Sequence, residues 1–440
     1  MSGRRVLGIG LILSTLGACQ LLASEDRPRG AGGSGGSAGG AGGGGAAGAA
    51  GSAGGQAGSG GQAGAAGDGG AAGQAGDGGA RERGTWAPMA PGPLTARGHV
   101  RAAFTGTQLV VWGGARCPMT DCVLGDGALY DPAQDRWATI RASKVLMRRA
   151  DAAAVWTGSE VVVWGGYDAL ESESARASGA RYRPTSNTWA ITAAEGAPSA
   201  RIEPLAVWTS SEMIVWGGNT GGAPAAGGAI YAPTTDTWRE ISRTNAPTPR
   251  RGASAVWAGG SMIVWGGADN IGATDHGARY DPDGDLWTPI SRAGAPGPRS
   301  NHAAVWARDQ MIVFGGQDTE LTSLGTGARY SRASDAWMPL PQAGSPTPRS
   351  KMVAVWTGSE VLVFGGGIGT QAREQTNTGA IYDPLTDRWT PMTLTGAPSP
   401  RAGAAFAWTG TELIVWGGFG AMPLTPGGAD YLDTGARFRP

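Results

Sequence analysis

From residue 84 to the C-terminus the apolar positions fall in short bursts, not in long periodic stretches. A run of four or so apolar residues, such as Val161-Val162-Val163-Trp164, ends on a Gly-Gly pair. The same pattern returns at Gly113-Gly114, Gly165-Gly166, Gly217-Gly218, Gly266-Gly267, Gly315-Gly316, Gly365-Gly366 and Gly417-Gly418, in steps of 52, 52, 49, 49, 50 and 52 residues. A run this short, without alternation and bounded by Gly, predicts a strand buried on both faces. Ahead of it lies an Ala-rich segment ending in an aromatic, such as Ala152-Ala153-Ala154-Val155-Trp156. Behind it come Gly-Ala-x-Tyr and, seven residues after the Tyr, a Trp, as in Tyr130/Trp137, Tyr280/Trp287 and Tyr382/Trp389. Between these two the chain reads like Asp383-Pro384-Leu385-Thr386-Asp387, where Pro and Asp favour a tight reversal. Each unit is therefore expected to be four short strands, a to d.

Other residues keep the same register. Trp or Phe precedes every Gly pair, and another aromatic stands eight residues earlier: Phe104, Trp156, Trp208, Trp257, Trp306, Trp356 and Trp408. Seven residues before that aromatic is always Arg: Arg97, Arg149, Arg201, Arg250, Arg299, Arg349 and Arg401. An antiparallel four-stranded sheet with two apolar faces must be covered twice. Packing such sheets face to face around an axis does so and makes a propeller. Small Ala side chains suit the innermost strand, and aromatics fill the wedges that widen outward.

An apolar run into Gly-Gly, then Tyr, then Trp, at a period near 50, resembles the kelch family of β-propellers. The resemblance covers residues 84–440. A WD40 propeller has a period of about 40–45 and its own Gly-His and Trp-Asp marks, which are missing here. The expected fold is all-β, a seven-bladed kelch-type β-propeller of four-stranded antiparallel blades. The last repeat stops at Phe438, in the Tyr position, and lacks a strand d, whereas Thr85-Trp86-Ala87-Pro88-Met89 is a strand d without a repeat of its own. That N-terminal strand is expected to close blade seven and remove an open edge.

Composition changes the picture mainly at the N-terminus. Of 440 residues 79 are Gly, and they are densest between residue 30 and residue 84, where they alternate with Ala, Ser, Gln and Asp and no aromatic occurs. Such a segment cannot bury enough apolar surface to order itself and is expected to be a disordered Gly/Ala-rich linker with an end-to-end distance of roughly 40 Å. Arg4-Arg5 and the apolar run Val6 to Leu16 have the length of a signal-peptide core. Leu16-Gly17-Ala18-Cys19 resembles a bacterial lipobox. The resemblance implies a signal peptide over 1–18, acylation of Cys19 and a lipid-anchored linker over 19–83. It implies an exported protein on the cell envelope, with Gln20 resembling outer-membrane sorting; Arg4-Arg5 also faintly resembles a twin-arginine signal.

The net charge is zero, from 35 basic and 35 acidic residues, which argues against strong capture of nucleic acid. Three Cys and three His exclude a zinc-finger array and a disulfide scaffold. Cys117 and Cys122 share the first b–c loop, and an oxidising compartment favours a disulfide between them.

The long, variable b–c loops share one face with the d–a connections, and such loops on a rigid scaffold are where binding usually lives. The seven Arg stand at the entrance of strand a on that face. They are candidates for an anion-holding ring or, alternatively, for bonds to carbonyls of a neighbouring blade. His302, three after Arg299, matches the Arg-x-x-His of many kelch repeats, where it is structural, while His276 ends the fourth b–c loop and could approach it as a two-His site. Galactose oxidase and the sialate mutarotases resemble this propeller, but no copper constellation, phosphate loop or Ser nucleophile motif is present.

The reading is a monomeric, membrane-tethered binding module that holds an envelope or extracellular protein or glycan through its b–c face, without cofactor or metal. The alternatives are a kelch-type enzyme acting on a sugar, oxidase or mutarotase-like, and plain surface display.

Overall fold

The computed structural model describes residues 81–116, 122–168, 175–420 and 430–440. Cys19, the signal segment, the linker before residue 81, and Cys117 lie outside the described residues.

Seven four-stranded antiparallel sheets follow one another. Blade 1 runs Arg101–Phe104, Leu109–Trp112, Gly127–Asp131 and Arg136–Thr139, each strand paired to the next. Blades 2 to 6 repeat this order, with innermost strands at Ala153–Trp156, Leu205–Trp208, Ser254–Trp257, Ala303–Ala307 and Val353–Trp356. Blade 7 uses Ala405–Trp408, Leu413–Trp416 and Gly435–Arg439, and takes its outer strand, Thr85–Pro88, from the N-terminal side. Trp86 lies opposite Phe438 and Thr85 opposite Arg439. The expected closure is therefore present. Each innermost strand touches those of the two adjacent blades, and blade 7 touches blade 1, so the strands form a ring about an axis.

The core is seven slabs, one per interface between blades. Strand b supplies both sides of a blade: Val161 and Val163 join the slab toward blade 1, while Val162 and Trp164 join the one toward blade 3. This is why the apolar run does not alternate.

The outer Trp does more than fill a wedge. Its Nε1 donates to a backbone carbonyl of the preceding blade, from Trp137 to Ala90 at 2.9 Å, Trp238 to Ala193 at 2.9 Å, Trp287 to Ser242 at 2.9 Å and Trp86 to Thr393 at 3.0 Å. The Tyr hydroxyl donates to an Asp in the c–d turn, as in Tyr130 to Asp135 at 2.6 Å and Tyr280 to Asp285 at 2.7 Å, with Asn187 taking that place in blade 2. The same carboxylates accept backbone N–H groups of the preceding blade, Ala90 at 2.9 Å and Ser242 at 2.8 Å. Blade 7 has no continuous c–d turn, because the two ends of the propeller meet there. With no turn Asp to bind, Phe438 replaces Tyr without leaving a hydroxyl unpaired.

Candidate functional site at the axial mouth

The seven Arg are buried, between 0 and 5% exposed, at the entrance of the innermost strands. Their backbone clips blades together: the Gly316 N–H donates to the Arg349 carbonyl at 2.8 Å, and the Arg349 N–H donates to Leu324 at 3.0 Å, both in blade 5. Their side chains turn back into their own blade. Arg349 donates to the carbonyls of Thr347 (2.9 Å), Gly365 (3.0 Å) and Thr378 (2.8 Å) and to the Thr347 and Thr378 hydroxyls (2.9 and 2.8 Å). All five guanidinium N–H groups are thus engaged. Arg97, Arg201, Arg250, Arg299 and Arg401 likewise reach the first carbonyl of their Gly pair at 2.9–3.2 Å.

This corrects two expectations. The side chains bond their own blade, not the neighbour, and these six do not present a ring of free guanidinium groups to an anion. Burial pushes Arg349 down to about 10, which still leaves it charged at neutral pH. The Gly pair itself must stay bare: at Gly114, with φ 95°, a Cβ would lie 2.6 Å from the Gly98 carbonyl oxygen.

The two His are not brought together as a site. His276 Nε2 lies 2.9 Å from Arg250 Nη2 and accepts from it. Burial and then Arg250 hold its pKa below the ordinary value. His302 is buried, its Nε2 2.8 Å from the Ser254 hydroxyl and its ring edge-on to Trp265. Burial, with Arg299 adding, lowers His302 to about 3. Among the described residues no three His, Cys, Asp or Glu side chains gather as a metal set. Cys122 is buried.

A group that binds no proton when folded but titrates near 6.5 when unfolded contributes stability above pH 6.5, and this is lost as pH falls toward 3. We expect His302 alone to remove about 2 kcal/mol between pH 7 and pH 5. Met352 holds the equivalent position in blade 6, so His302→Met is a natural control. Urea unfolding at the two pH values should show the variant losing about 2 kcal/mol less than the parent; equal losses would refute the assignment.

The axial mouth is built by residues that the Arg register hides, two positions further on: His99, Asp151, Glu203, Gly252, Asn301, Lys351 and Gly403. All have positive φ, from 50° to 60°. Their backbones chain around the axis: the Asp151 N–H donates to His99 at 3.0 Å, Glu203 to Asp151 at 2.9 Å, Asn301 to Gly252 at 2.7 Å and Lys351 to Asn301 at 3.0 Å. His99 Nδ1 lies 3.0 Å from Asp151 Oδ2. Burial would raise the Asp151 carboxyl, but His99, Arg101 and Lys351 hold it below its ordinary value.

Aromatic rings stand beside this set. Phe419 stacks on His99 at 6.0 Å and lies 5.8 Å from the Lys351 ammonium, and Tyr431 is 6.4 Å from His99. The Tyr167 hydroxyl is buried without a partner. On the innermost strand of blade 7, Phe406 is 39% exposed where the other six blades carry Ala. Sequence reasoning missed the ring register and Phe406.

The fold and this mouth define a class: a closed repeat propeller whose framework positions are uniform and whose axial mouth is not. The family model for the KLHDC2/KLHL20/DRC7 kelch-repeats domain matches residues 98–316 and again 258–427. The chain belongs to the kelch-repeat family. No curated protein matches it.

Proposed function

We propose that the chain is a tethered binding module whose b–c face, centred on the axial mouth, holds a protein or glycan of the envelope or its surroundings. One observation carries this reading. Framework registers repeat from blade to blade, yet the mouth register holds His, Asp, Glu, Asn, Lys and two Gly. A position serving only the repeat would be expected to repeat. Kelch propellers are typically protein-interaction modules, which agrees with it.

The tether reading rests on Cys19 and the Gly/Ala linker. The Arg83 guanidinium meets Glu360 at 2.6 Å, in the a–b turn of blade 6. The second reading, a sugar-modifying enzyme, is favoured by the His99–Asp151 pair beside the unpaired Tyr167 hydroxyl, an arrangement suited to moving a proton.

The test is binding of the full chain to glycan and envelope-peptide arrays. Glu203→Gln with Lys351→Met should weaken a captured ligand about 10-fold or more, while Leu385→Ser on the opposite face leaves it unchanged. Loss in the Leu385 variant alone would overturn the reading. Turnover of a bound sugar that His99→Asn abolishes would put the enzyme reading in its place. Cys19→Ser should move the chain from the membrane to the soluble envelope fraction.

A further inference from the structure

One connection between blades departs from the other six. In the nine residues before Arg97, Arg201, Arg250, Arg299, Arg349 and Arg401 there is always a Pro and never more than one charged residue. The nine before Arg149, Ile140 to Arg148, hold no Pro and carry Arg141, Lys144 and Arg148 without a carboxylate. Cations of the other connections are answered close by: Arg243 meets Glu240 at 2.8 Å and Arg292 meets Asp275 at 2.7 Å. Arg141 and Lys144 are exposed, and among the described residues neither side chain has an ion pair.

The segment is held in place, yet it presents apolar side chains to solvent. Leu146 is buried in the slab between blades 1 and 2, and the Ser143 hydroxyl accepts from the Val145 and Leu146 N–H groups at 3.3 and 2.8 Å. The Arg149 N–H donates to Leu124 at 3.1 Å, which lays the segment along the b–c face. On either side of Leu146, Val145 is 42% and Met147 68% exposed. Met147 stands where the other connections have Thr, Ser or Gly, whose carbonyl takes the Nε of the following Arg at 2.9–3.0 Å. Arg149 Nε has no acceptor. The departure therefore costs the framework a hydrogen bond, which argues that the segment serves the surface.

We propose that residues 141–148 form a docking surface for an anionic lipid membrane. The cations meet the headgroups while Val145 and Met147 enter the boundary with the acyl chains. These two side chains project from the turn and do not line a recess, which favours a lipid surface over a protein that must match their shape. The proposal rests on the tethered reading above, since the linker is what keeps the propeller within reach of a membrane.

All strands of the propeller lie within residues 85–439, so residues 20–440 keep it whole while lacking Cys19 and the apolar leader. This chain is sedimented with vesicles of phosphatidylglycerol and phosphatidylcholine in equal parts, and with phosphatidylcholine alone. At low salt the anionic vesicles should bind about 30-fold more tightly, a preference that about 0.5 M salt removes. Each Lys or Arg at such a surface is worth about 5-fold, so Arg141→Gln with Lys144→Gln should weaken binding about 25-fold. Met147→Ser should weaken it about 5-fold. Arg243→Gln with Arg292→Gln removes the same charge from paired cations and should leave binding unchanged. Equal binding to the two vesicle types, or equal losses in the two double variants, would overturn the proposal. Capture on immobilised polyglutamate without vesicle binding would also overturn it and assign the surface to an acidic protein. Fractionation of cells carrying Cys19→Ser, washed at high salt, tests the tether, so the two readings can fail separately.

Discussion

Removing residues 84–90 is expected to lower the melting midpoint by about 8 °C, although it takes away one short strand at the rim. Trp86 packs against Phe364 at 4.6 Å and Phe438 at 4.9 Å, and its Nε1 reaches into blade 6. Met89 sits in the slab between blades 7 and 1. Truncating a large core side chain costs about 3–5 kcal/mol, so losing both side chains and the strand pairing amounts to roughly 6–8 kcal/mol. For a domain of this size each kcal/mol is worth about 1–1.5 °C, from an unfolding entropy of about 2 cal/mol/K per residue. The deletion also leaves Gly435–Arg439 as an open edge, so the truncated chain should associate as its concentration rises. A peptide spanning residues 81–92 should restore the midpoint by adding back as a strand. A melt that does not move on deletion would refute the closure. A melt that moves without peptide rescue would assign the loss to something other than this strand.

That closure was legible because a strand d without a repeat and a repeat without a strand d are complementary defects. Fold, blade count and the four-strand unit followed in the same way, since each depends on residues that recur in register. The mouth was not legible for the converse reason. A search for sameness finds Arg97 to Arg401 and passes over the position two residues later, where His99, Glu203 and Lys351 share nothing as side chains. A backbone signal was present there. Gly252, Gly403, Asn301 and Asp151 are types that tolerate positive φ, and together they mark a ring of left-handed residues. Phe406 was missed because an extra aromatic in an aromatic-rich repeat looks ordinary until the other six blades prove to hold Ala. The Arg were found but misread. Sequence gives their position at the face, whereas the direction of a guanidinium depends on which carbonyls the fold leaves unpaired, and here the bend at each Gly pair turns one toward it.

Arg349→Lys is the sharpest test of that role, because it keeps the charge and most of the volume. A lysine ammonium offers three donors from a single point and cannot span the Gly365 and Thr378 carbonyls together with Thr347, as the planar fork does. At least two buried acceptors lose their partner, at about 1–3 kcal/mol each, and a buried ammonium is more costly to desolvate than a guanidinium. We expect a loss of about 3–5 kcal/mol by urea unfolding. Leu324 and Gly316 still bond the residue 349 backbone, so the blades should remain joined and the variant folded. Arg149→Lys, where the fork makes only two donations and its Nε has no acceptor, should cost about half as much. Equal losses at both positions would mean that charge, not the fork, is what the propeller needs. No loss at Arg349 would free the guanidinium from its structural role and return the ring of seven to the list of candidate anion sites.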